Sequence, residues 1–158
     1  MADNPSSHRT RYYIFHQAEA GLFTQQQVIL WDDSKSKGVL EITAMTAVRG
    51  ARLGRNRIVI VLQNSVRVYS FAKPPDLVAS YETADNLLGL CGLSEKMIAF
   101  PGRTPGQVQL VEIATGNVSI IPAHSSALRA ITFSPDGELL ATASETVRLI
   151  RASTLIVT

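Results

Sequence analysis

Short segments with the composition of β-strands recur along this chain at intervals close to 40 residues. Their first residues lie 38, 42 and 39 positions apart, and the segments are Val28–Asp33, Val66–Phe71, Val108–Ile113 and Val147–Ala152. The segments are rich in β-branched residues, and the first contains the dipeptide Trp31-Asp32. This period is typical of β-propeller blades, which are small four-stranded sheets that bury their faces by stacking on one another. The chain is therefore predicted to be all-β.

A second strand signal precedes three of these segments at a nearly constant distance, over Ile58–Leu62, Met97–Phe100 and Leu139–Ala143. The connections within the pairs are polar or rich in glycine and proline, as hairpin turns are, and they span residues 63–65, 101–106 and 144–146. A weaker strand signal comes before each pair, over Ala47–Leu53, Leu87–Leu93 and Leu128–Phe133. The sequence Ser134–Gly137 then predicts a tight turn. Tyr12–Phe15 has two interpretations, one additional strand or a disordered segment.

The length of the chain limits the number of blades. At roughly 40 residues a blade, 158 residues supply three blades and part of a fourth, whereas closed propellers typically have about four to eight. We therefore predict an open, partial β-propeller of three to four WD-repeat-like blades over residues 25–158, after an atypical segment, 1–24. Residues 25–44 are assigned to the end of one blade, 45–83 to the second, 84–123 to the third and 124–158 to the start of the fourth.

The composition excludes several classes of protein. Hydrophobic residues make up 46% of the chain and charged residues 18%, and no apolar run approaches the roughly 20 residues that cross a bilayer. The first 11 residues are polar and lack the pattern of a signal peptide, so a cytoplasmic location is expected. A net charge of +2 is too small to indicate a nucleic-acid partner.

No catalytic or metal-binding pattern is present in the sequence. The three histidines, His8, His16 and His124, do not have metal-ligand spacing, and no Gly-x-Ser-x-Gly motif occurs. Cys91 is the single cysteine, which excludes an internal disulfide, and its apolar neighbours predict an inert buried thiol. The chain is therefore predicted not to be an enzyme and to have neither a cofactor nor a small-molecule substrate.

Four arginines lie within nine residues that contain no acidic residue, and they are Arg49, Arg52, Arg55 and Arg57. One interpretation of this basic patch is a solvated strand edge whose charges prevent pairing with another sheet. The other is a surface for an anionic membrane or an acidic partner, because clustered guanidinium groups bind phosphate and carboxylate.

The order of several motifs also resembles a known family. The motifs are Val28–Asp33, Val48–Leu53, Arg57–Leu62, Gly89–Cys91, Ala99–Gly102, Gly106–Val111, Ile121–His124 and Ala141–Glu145. Together they are similar to the PROPPIN family, seven-bladed WD-repeat-like propellers of autophagy. The resemblance runs from about Val28 to Arg151 and would place this chain between the end of the second blade and the opening of the fifth. It lacks the family's Arg-Arg pair, and the chain thus resembles a truncated product or a short paralogue.

The resemblance implies binding of phosphatidylinositol 3-phosphate and phosphatidylinositol 3,5-bisphosphate. His124, Ser144 and Arg151 match three residues of one headgroup site in that family. Arginine offers a planar fork to phosphate, serine a hydroxyl donor, and histidine a donor that becomes charged near pH 6.5. The alternative for His124 and Ser144 is that they satisfy local turns, and for Arg151 that it is an exposed strand charge.

The function implied is a scaffold that associates peripherally with preautophagosomal, endosomal or vacuolar membranes and recruits autophagy proteins such as a lipid-transfer partner. Lipid binding by this chain is expected to be impaired, because the arginine pair that contacts the headgroups is missing. The alternative is a WD-repeat fragment that binds a protein partner without binding lipid.

Overall fold

The computed structural model describes residues 12–18, 26–146 and 151–154, which form four antiparallel sheets. Sheet 1 consists of β1 (Tyr12–Ala18), β2 (Gln26–Asp32) and β3 (Lys37–Ala44). Sheet 2 consists of β4 (Val48–Leu53), β5 (Arg57–Leu62), β6 (Ser65–Ser70) and β7 (Leu77–Glu82). Sheet 3 consists of β8 (Gly92–Leu93), β9 (Met97–Pro101), β10 (Gln107–Glu112) and β11 (Val118–Pro122). Sheet 4 consists of β12 (Leu128–Phe133), β13 (Leu139–Ser144) and β14 (Arg151–Thr154).

Within each sheet the strands are paired in chain order, so every connection is a hairpin. Buried apolar clusters lie between sheets 1 and 2, between sheets 2 and 3, and between sheets 3 and 4. Each cluster joins two sheets that are consecutive in the chain, and the four sheets form an open series. This is the partial β-propeller that the sequence predicts, since a blade buries its faces only against its neighbours.

The second strand of sheet 2, β5, is apolar at consecutive positions because both of its faces are buried. On β5, Ile58 and Ile60 face sheet 1, whereas Val59 and Val61 face sheet 3. Because successive side chains of a strand point to opposite faces, both faces of β5 are buried. β9 repeats the arrangement, since Ile98 and Phe100 face sheet 2 whereas Met97 and Ala99 face sheet 4.

A buried carboxylate fixes the turn after the Trp-Asp dipeptide. Asp32 is 1% exposed, and it caps a 3-10 turn over Asp33–Lys35 by accepting bonds from the Ser34 hydroxyl at 2.6 Å and the Ser34 N–H at 3.0 Å. The hydrogen bond from Ser34 is the main cause that lowers the pKa of Asp32. The turn positions β2 and β3 as neighbours.

Polar contacts also link sheets 2 and 3. The buried amide of Gln109 donates to the backbone carbonyl of Glu82 at 2.7 Å. Arg55 and Glu95, in equivalent turns of the two sheets, form an ion pair at 2.8 Å. Both of its side chains are more than three-quarters exposed, so it contributes little to stability. The buried Gln109 bond is the more important of the two links, because an unpaired buried amide is costly.

Most of the predicted strands are confirmed. The repeated segments correspond to β2, β6, β10 and the start of β14, the strands before them correspond to β5, β9 and β13, and β4 and β12 fall where the weaker signals lie. Tyr12–Phe15 is a strand, since β1 pairs along its length with β2. Residues 147–150 of the fourth segment lie outside the described residues.

The strand predicted over Leu87–Leu93 is wrong over most of its length, because β8 contains only Gly92 and Leu93. Asn86 binds both backbone groups of Leu90 with its side chain, at 2.8 and 3.1 Å, which holds a turn. Gly89 has a φ of +63°, which an extended strand does not permit. The predicted turn Ser134–Gly137 is present, with its closing hydrogen bond from Gly137 N–H to the Ser134 carbonyl at 2.9 Å.

Candidate functional site

His124 lies in the connection between sheets 3 and 4 and is held at both its backbone and its side chain. Its N–H donates to the carbonyl of Gly106 at 3.0 Å, which ties it to the turn between β9 and β10. Its ring Nε2 lies 2.9 Å from the hydroxyl of Thr142 on β13. His124 therefore spans the gap between the two sheets.

The other two predicted residues, Ser144 and Arg151, lie on the adjacent strands β13 and β14 of sheet 4. Ser144 follows Thr142 by two positions on β13, so both side chains lie on the same face of the sheet. Thr142 is 5% and Ser144 6% exposed. Arg151 is the first residue of β14 and pairs with Thr142 in the strand register. The fold thus places the backbones of His124, Ser144 and Arg151 around Thr142.

The Ser144 hydroxyl is buried and has no hydrogen-bond partner in the part of the chain that the structure describes. A buried hydroxyl without a partner is unfavourable, and such groups in proteins often mark a ligand or water position. The His124 ring bonds a residue 18 positions away rather than its own turn. For His124, this contact between sheets differs from the local-turn interpretation.

Two residues of this site are missing from the expectations drawn from the sequence. Thr142 was detectable, because it lies two positions before Ser144 in a predicted strand and so shares its face. Gly106 was visible only as a turn residue, and its role in holding His124 depends on the contact between two sheets.

The four arginines of the basic patch are distributed over β4, the β4–β5 turn and the start of β5. Arg49 bonds the side chain of Gln63, in the β5–β6 turn at one end of sheet 2, at 3.0 Å. Arg55 lies in the β4–β5 turn at the opposite end, and Arg57 is the first residue of β5. Arg52 donates to the Cys91 carbonyl at 3.0 Å and so links sheets 2 and 3. Each of the four guanidinium groups bonds a neighbouring protein atom. Binding of an anionic membrane or an acidic partner by this patch stays a prediction.

Cys91 is buried, as predicted, and lies one residue before β8. Burial raises the pKa of the Cys91 thiol to about 12, an effect that the nearby Arg52 guanidinium only partly offsets. The thiolate is the reactive form of cysteine, so a raised pKa makes Cys91 unreactive. Its side chain packs in the apolar cluster between sheets 2 and 3.

We expect Cys91 to react with a disulfide reagent such as DTNB only when the chain unfolds. At pH 8, a thiol with a pKa of about 12 is ionised to roughly one part in ten thousand, and burial blocks the reagent as well. The rate of thionitrobenzoate release from the native chain should be at least about 1,000-fold below the rate in concentrated urea. Fast stoichiometric labelling of the native chain would contradict the burial of this thiol.

Within residues 12–18, 26–146 and 151–154, no cluster of three or more histidine, cysteine or acidic residues could hold a metal ion. The same ranges contain no helix with the length and apolar character needed to cross a membrane.

Comparison with known proteins identifies the relatives of this chain. A family model described as PROPPIN matches residues 16–156. SVP1-like protein 2 of Emericella nidulans is 56% identical over 129 residues, which cover 82% of this chain and 41% of the relative. Autophagy-related protein 18e of Arabidopsis thaliana is 37% identical over 134 residues, which cover 82% of this chain and 35% of that protein. The chain therefore spans about two fifths of the length of these relatives.

The fold has a counterpart among solved structures. A complex of KlAtg21 with the coiled-coil of AgAtg16 contains a chain that superposes with a TM-score of 0.73 at 19% identity, covering 90% of this chain and 49% of that chain. The family match extends over most of the 158 residues, and the sheets, their order and their stacking agree with a propeller. The chain belongs to the PROPPIN family of non-enzymatic β-propellers.

Proposed function

We propose that this chain contributes one headgroup site to a non-enzymatic scaffold of autophagy that binds phosphatidylinositol 3-phosphate and phosphatidylinositol 3,5-bisphosphate. The observation that carries the proposal is the buried, unpartnered hydroxyl of Ser144 on the same face of β13 as the His124–Thr142 pair. A phosphate or inositol hydroxyl placed there would satisfy Ser144 and lie near the ring of His124.

Each residue of the group suits an anionic sugar phosphate. Ser144 can donate its hydroxyl proton to a phosphate oxygen. The Nε2 of His124 bonds Thr142, and its Nδ1 is available to a second partner such as a headgroup oxygen. Arg151, which pairs with Thr142 in the register, would supply a permanent cation able to bind two phosphate oxygens.

The proposal includes weak lipid binding by this chain. Nowhere in the sequence are two arginines adjacent, so the headgroup lacks the charge-assisted contacts that such a pair would add. One site also gives none of the gain that two tethered sites provide on a membrane. We expect binding that is detectable at high lipid concentration and lost at high salt.

The relatives support a role in autophagy. The Arabidopsis relative is named as an autophagy-related protein. We propose that the chain acts from the cytoplasm on preautophagosomal, endosomal or vacuolar membranes, where a scaffold of this kind brings a lipid-transfer or conjugation protein to the bilayer.

Titration of the chain with soluble inositol 1,3-bisphosphate, followed by NMR, tests the headgroup site directly. We expect Ser144→Ala and Arg151→Ala each to weaken binding by about tenfold, since each removes a hydrogen bond to a charged group. Ser80→Ala is the matched control, because Ser80 is an exposed serine on β7 outside this site. It should leave the affinity unchanged.

Stability separates a binding role of Ser144 from a structural one. Removing a buried hydroxyl that has no partner should leave the free energy of unfolding unchanged or slightly higher. A loss of stability in Ser144→Ala with no change in headgroup affinity would contradict the proposal. Failure of the wild-type chain to bind the soluble headgroup would also contradict the proposal.

A second candidate is a module that binds a protein without binding lipid. It is favoured by the solved complex in which a chain of the same fold holds a coiled coil. Flotation with phosphatidylinositol 3-phosphate vesicles distinguishes the two candidates. Lipid-dependent flotation that Arg151→Ala abolishes supports the first, whereas capture of a coiled-coil partner without flotation supports the second.

A further inference from the structure

The outermost strand of sheet 3 is apolar, exposed and free of charge. β11 forms the edge of the sheet, and its side chains Val118 and Ile120 are 44% and 54% exposed. The 16 residues from Ile113 to Leu128 include no lysine, arginine, aspartate or glutamate. Exposed edge strands usually carry charges that prevent unwanted association, so this edge is unusual.

The outermost strands of the two preceding sheets differ from β11 in this respect. β3 carries Lys37 and Glu41, and β7 ends at Glu82, all of them exposed. A carboxylate held against an anionic bilayer is repelled by the surface potential. Among these three outermost strands, β11 alone has a surface that is compatible with contact to an anionic membrane.

β11 also leads directly into the proposed headgroup site. It ends at Pro122, two residues before His124. At about 3.3 Å per extended residue, the backbone of Ile120 lies at most roughly 13 Å from that of His124. A bilayer that presents a headgroup to His124 and Ser144 therefore extends over the region that β11 occupies.

We propose that β11 rests on the membrane surface, with Val118 and Ile120 in contact with the boundary between headgroups and acyl chains. This inference rests on the proposed function and adds a second, apolar contact to its headgroup site. The apolar contact strengthens binding to the bilayer without strengthening binding to a free headgroup, because only the bilayer offers an apolar phase. It also supplies part of the membrane affinity that a single headgroup site lacks.

The first test compares two double variants in which exposed apolar side chains of an outermost strand are replaced by threonine. Val118→Thr with Ile120→Thr replaces apolar surface on β11, and Leu77→Thr with Val78→Thr does the same on β7, where the side chains are 53% and 51% exposed. We expect the β11 variant to reduce partition into phosphatidylcholine vesicles containing phosphatidylinositol 3-phosphate by about tenfold. Its affinity for soluble inositol 1,3-bisphosphate should not change, and the β7 variant should match the unchanged chain in both assays.

A fluorescent label gives a second readout that does not depend on the loss of binding. Because Cys91 is buried, a cysteine that replaces Val118 on β11 can be labelled selectively with an environment-sensitive dye, and Val78→Cys on β7 gives the control position. Vesicles with phosphatidylinositol 3-phosphate should shift the emission of the β11 label to the blue. The soluble headgroup should leave both labels unchanged, and the vesicles should leave the β7 label unchanged.

Failure of the inference and failure of the proposed function give different results. If the unchanged chain binds soluble headgroup but vesicle partition is the same in the β11 variant, the inference is overturned and the headgroup site stands. That result would assign β11 to a different partner, such as an extended peptide strand. If the unchanged chain binds neither soluble headgroup nor vesicles, the proposed function is overturned and the inference with it.

Discussion

Replacing Gly106 by alanine is expected to destabilise the chain by about 3–5 kcal/mol and to remove headgroup binding, an effect near the top of the range for single substitutions. Gly106 has a φ of +84°, and a Cβ at this position would lie 2.1 Å from the carbonyl oxygen of His124 and 2.8 Å from its carbonyl carbon. Both atoms belong to the backbone, so no side-chain rotation relieves the overlap. The turn between β9 and β10 would have to separate from His124.

The control for this substitution is Gly116→Ala. Gly116 also has a positive φ, +74°, but a Cβ there would meet no atom within 4 Å. It isolates the cost of a left-handed conformation for a residue with a side chain, about 1–2 kcal/mol. Urea denaturation of both variants measures the difference in the free energy of unfolding. Equal losses would show that the approach of Gly106 to His124 does not matter for stability.

Headgroup affinity supplies the second readout for Gly106. The carbonyl of Gly106 accepts the N–H of His124 at 3.0 Å, so displacement of the turn moves the ring that bonds Thr142. We expect Gly116→Ala to bind soluble inositol 1,3-bisphosphate normally, since Gly116 lies in the β10–β11 connection and holds neither residue. Under conditions where Gly106→Ala remains folded, normal binding by that variant would contradict this positioning role.

The fold was largely predictable from the sequence because its strongest signals are local. The strand of Ile58–Leu62 is apolar at every position, and burial of both faces of β5 is what that composition indicates. The regular spacing of such strands then predicts stacked blades, since a fixed period of this length requires equivalent packing units.

The failures concern residues whose conformation is set by side-chain and tertiary contacts. Leu87 and Leu88 have the composition of a strand, but Asn86 binds the backbone of Leu90 and closes a turn, which leaves both leucines exposed. The apolar character of the two leucines does not reveal the turn, because a short apolar run can belong to a strand or to another local structure.

The candidate site shows the same division. His124 and Ser144 were selected by family resemblance, and the sequence alone does not indicate that a loop after β11 reaches β13. That contact depends on how sheets 3 and 4 stack. The hydrogen bond between the His124 ring and the Thr142 hydroxyl forms only when the two sheets are stacked. The packing of neighbouring blades therefore determines the geometry of the site.

Replacing Phe100 by alanine is expected to destabilise the chain by about 3–5 kcal/mol, because it leaves a cavity in a fully buried layer. Phe100 is 0% exposed and is the largest side chain in the apolar cluster between sheets 2 and 3. Its ring centroid lies 5.4 Å from that of Tyr81 on β7, so the substitution also removes an aromatic contact across the two sheets.

The position of this layer determines how far the loss spreads. In a series of stacked sheets, each sheet is stabilised by its own hydrogen bonds and by the interfaces with its neighbours. Sheets 2 and 3 are both interior members of the described series, so weakening the layer between them separates the chain into two pairs of sheets, each with a newly exposed apolar face.

Leu139→Ala is the control, since Leu139 is 40% exposed on β13 and its truncation should cost less than about 1 kcal/mol. Urea denaturation monitored by circular dichroism measures both effects, and a Phe100→Ala midpoint equal to that of Leu139→Ala would show that the layer between sheets 2 and 3 does not hold the propeller together.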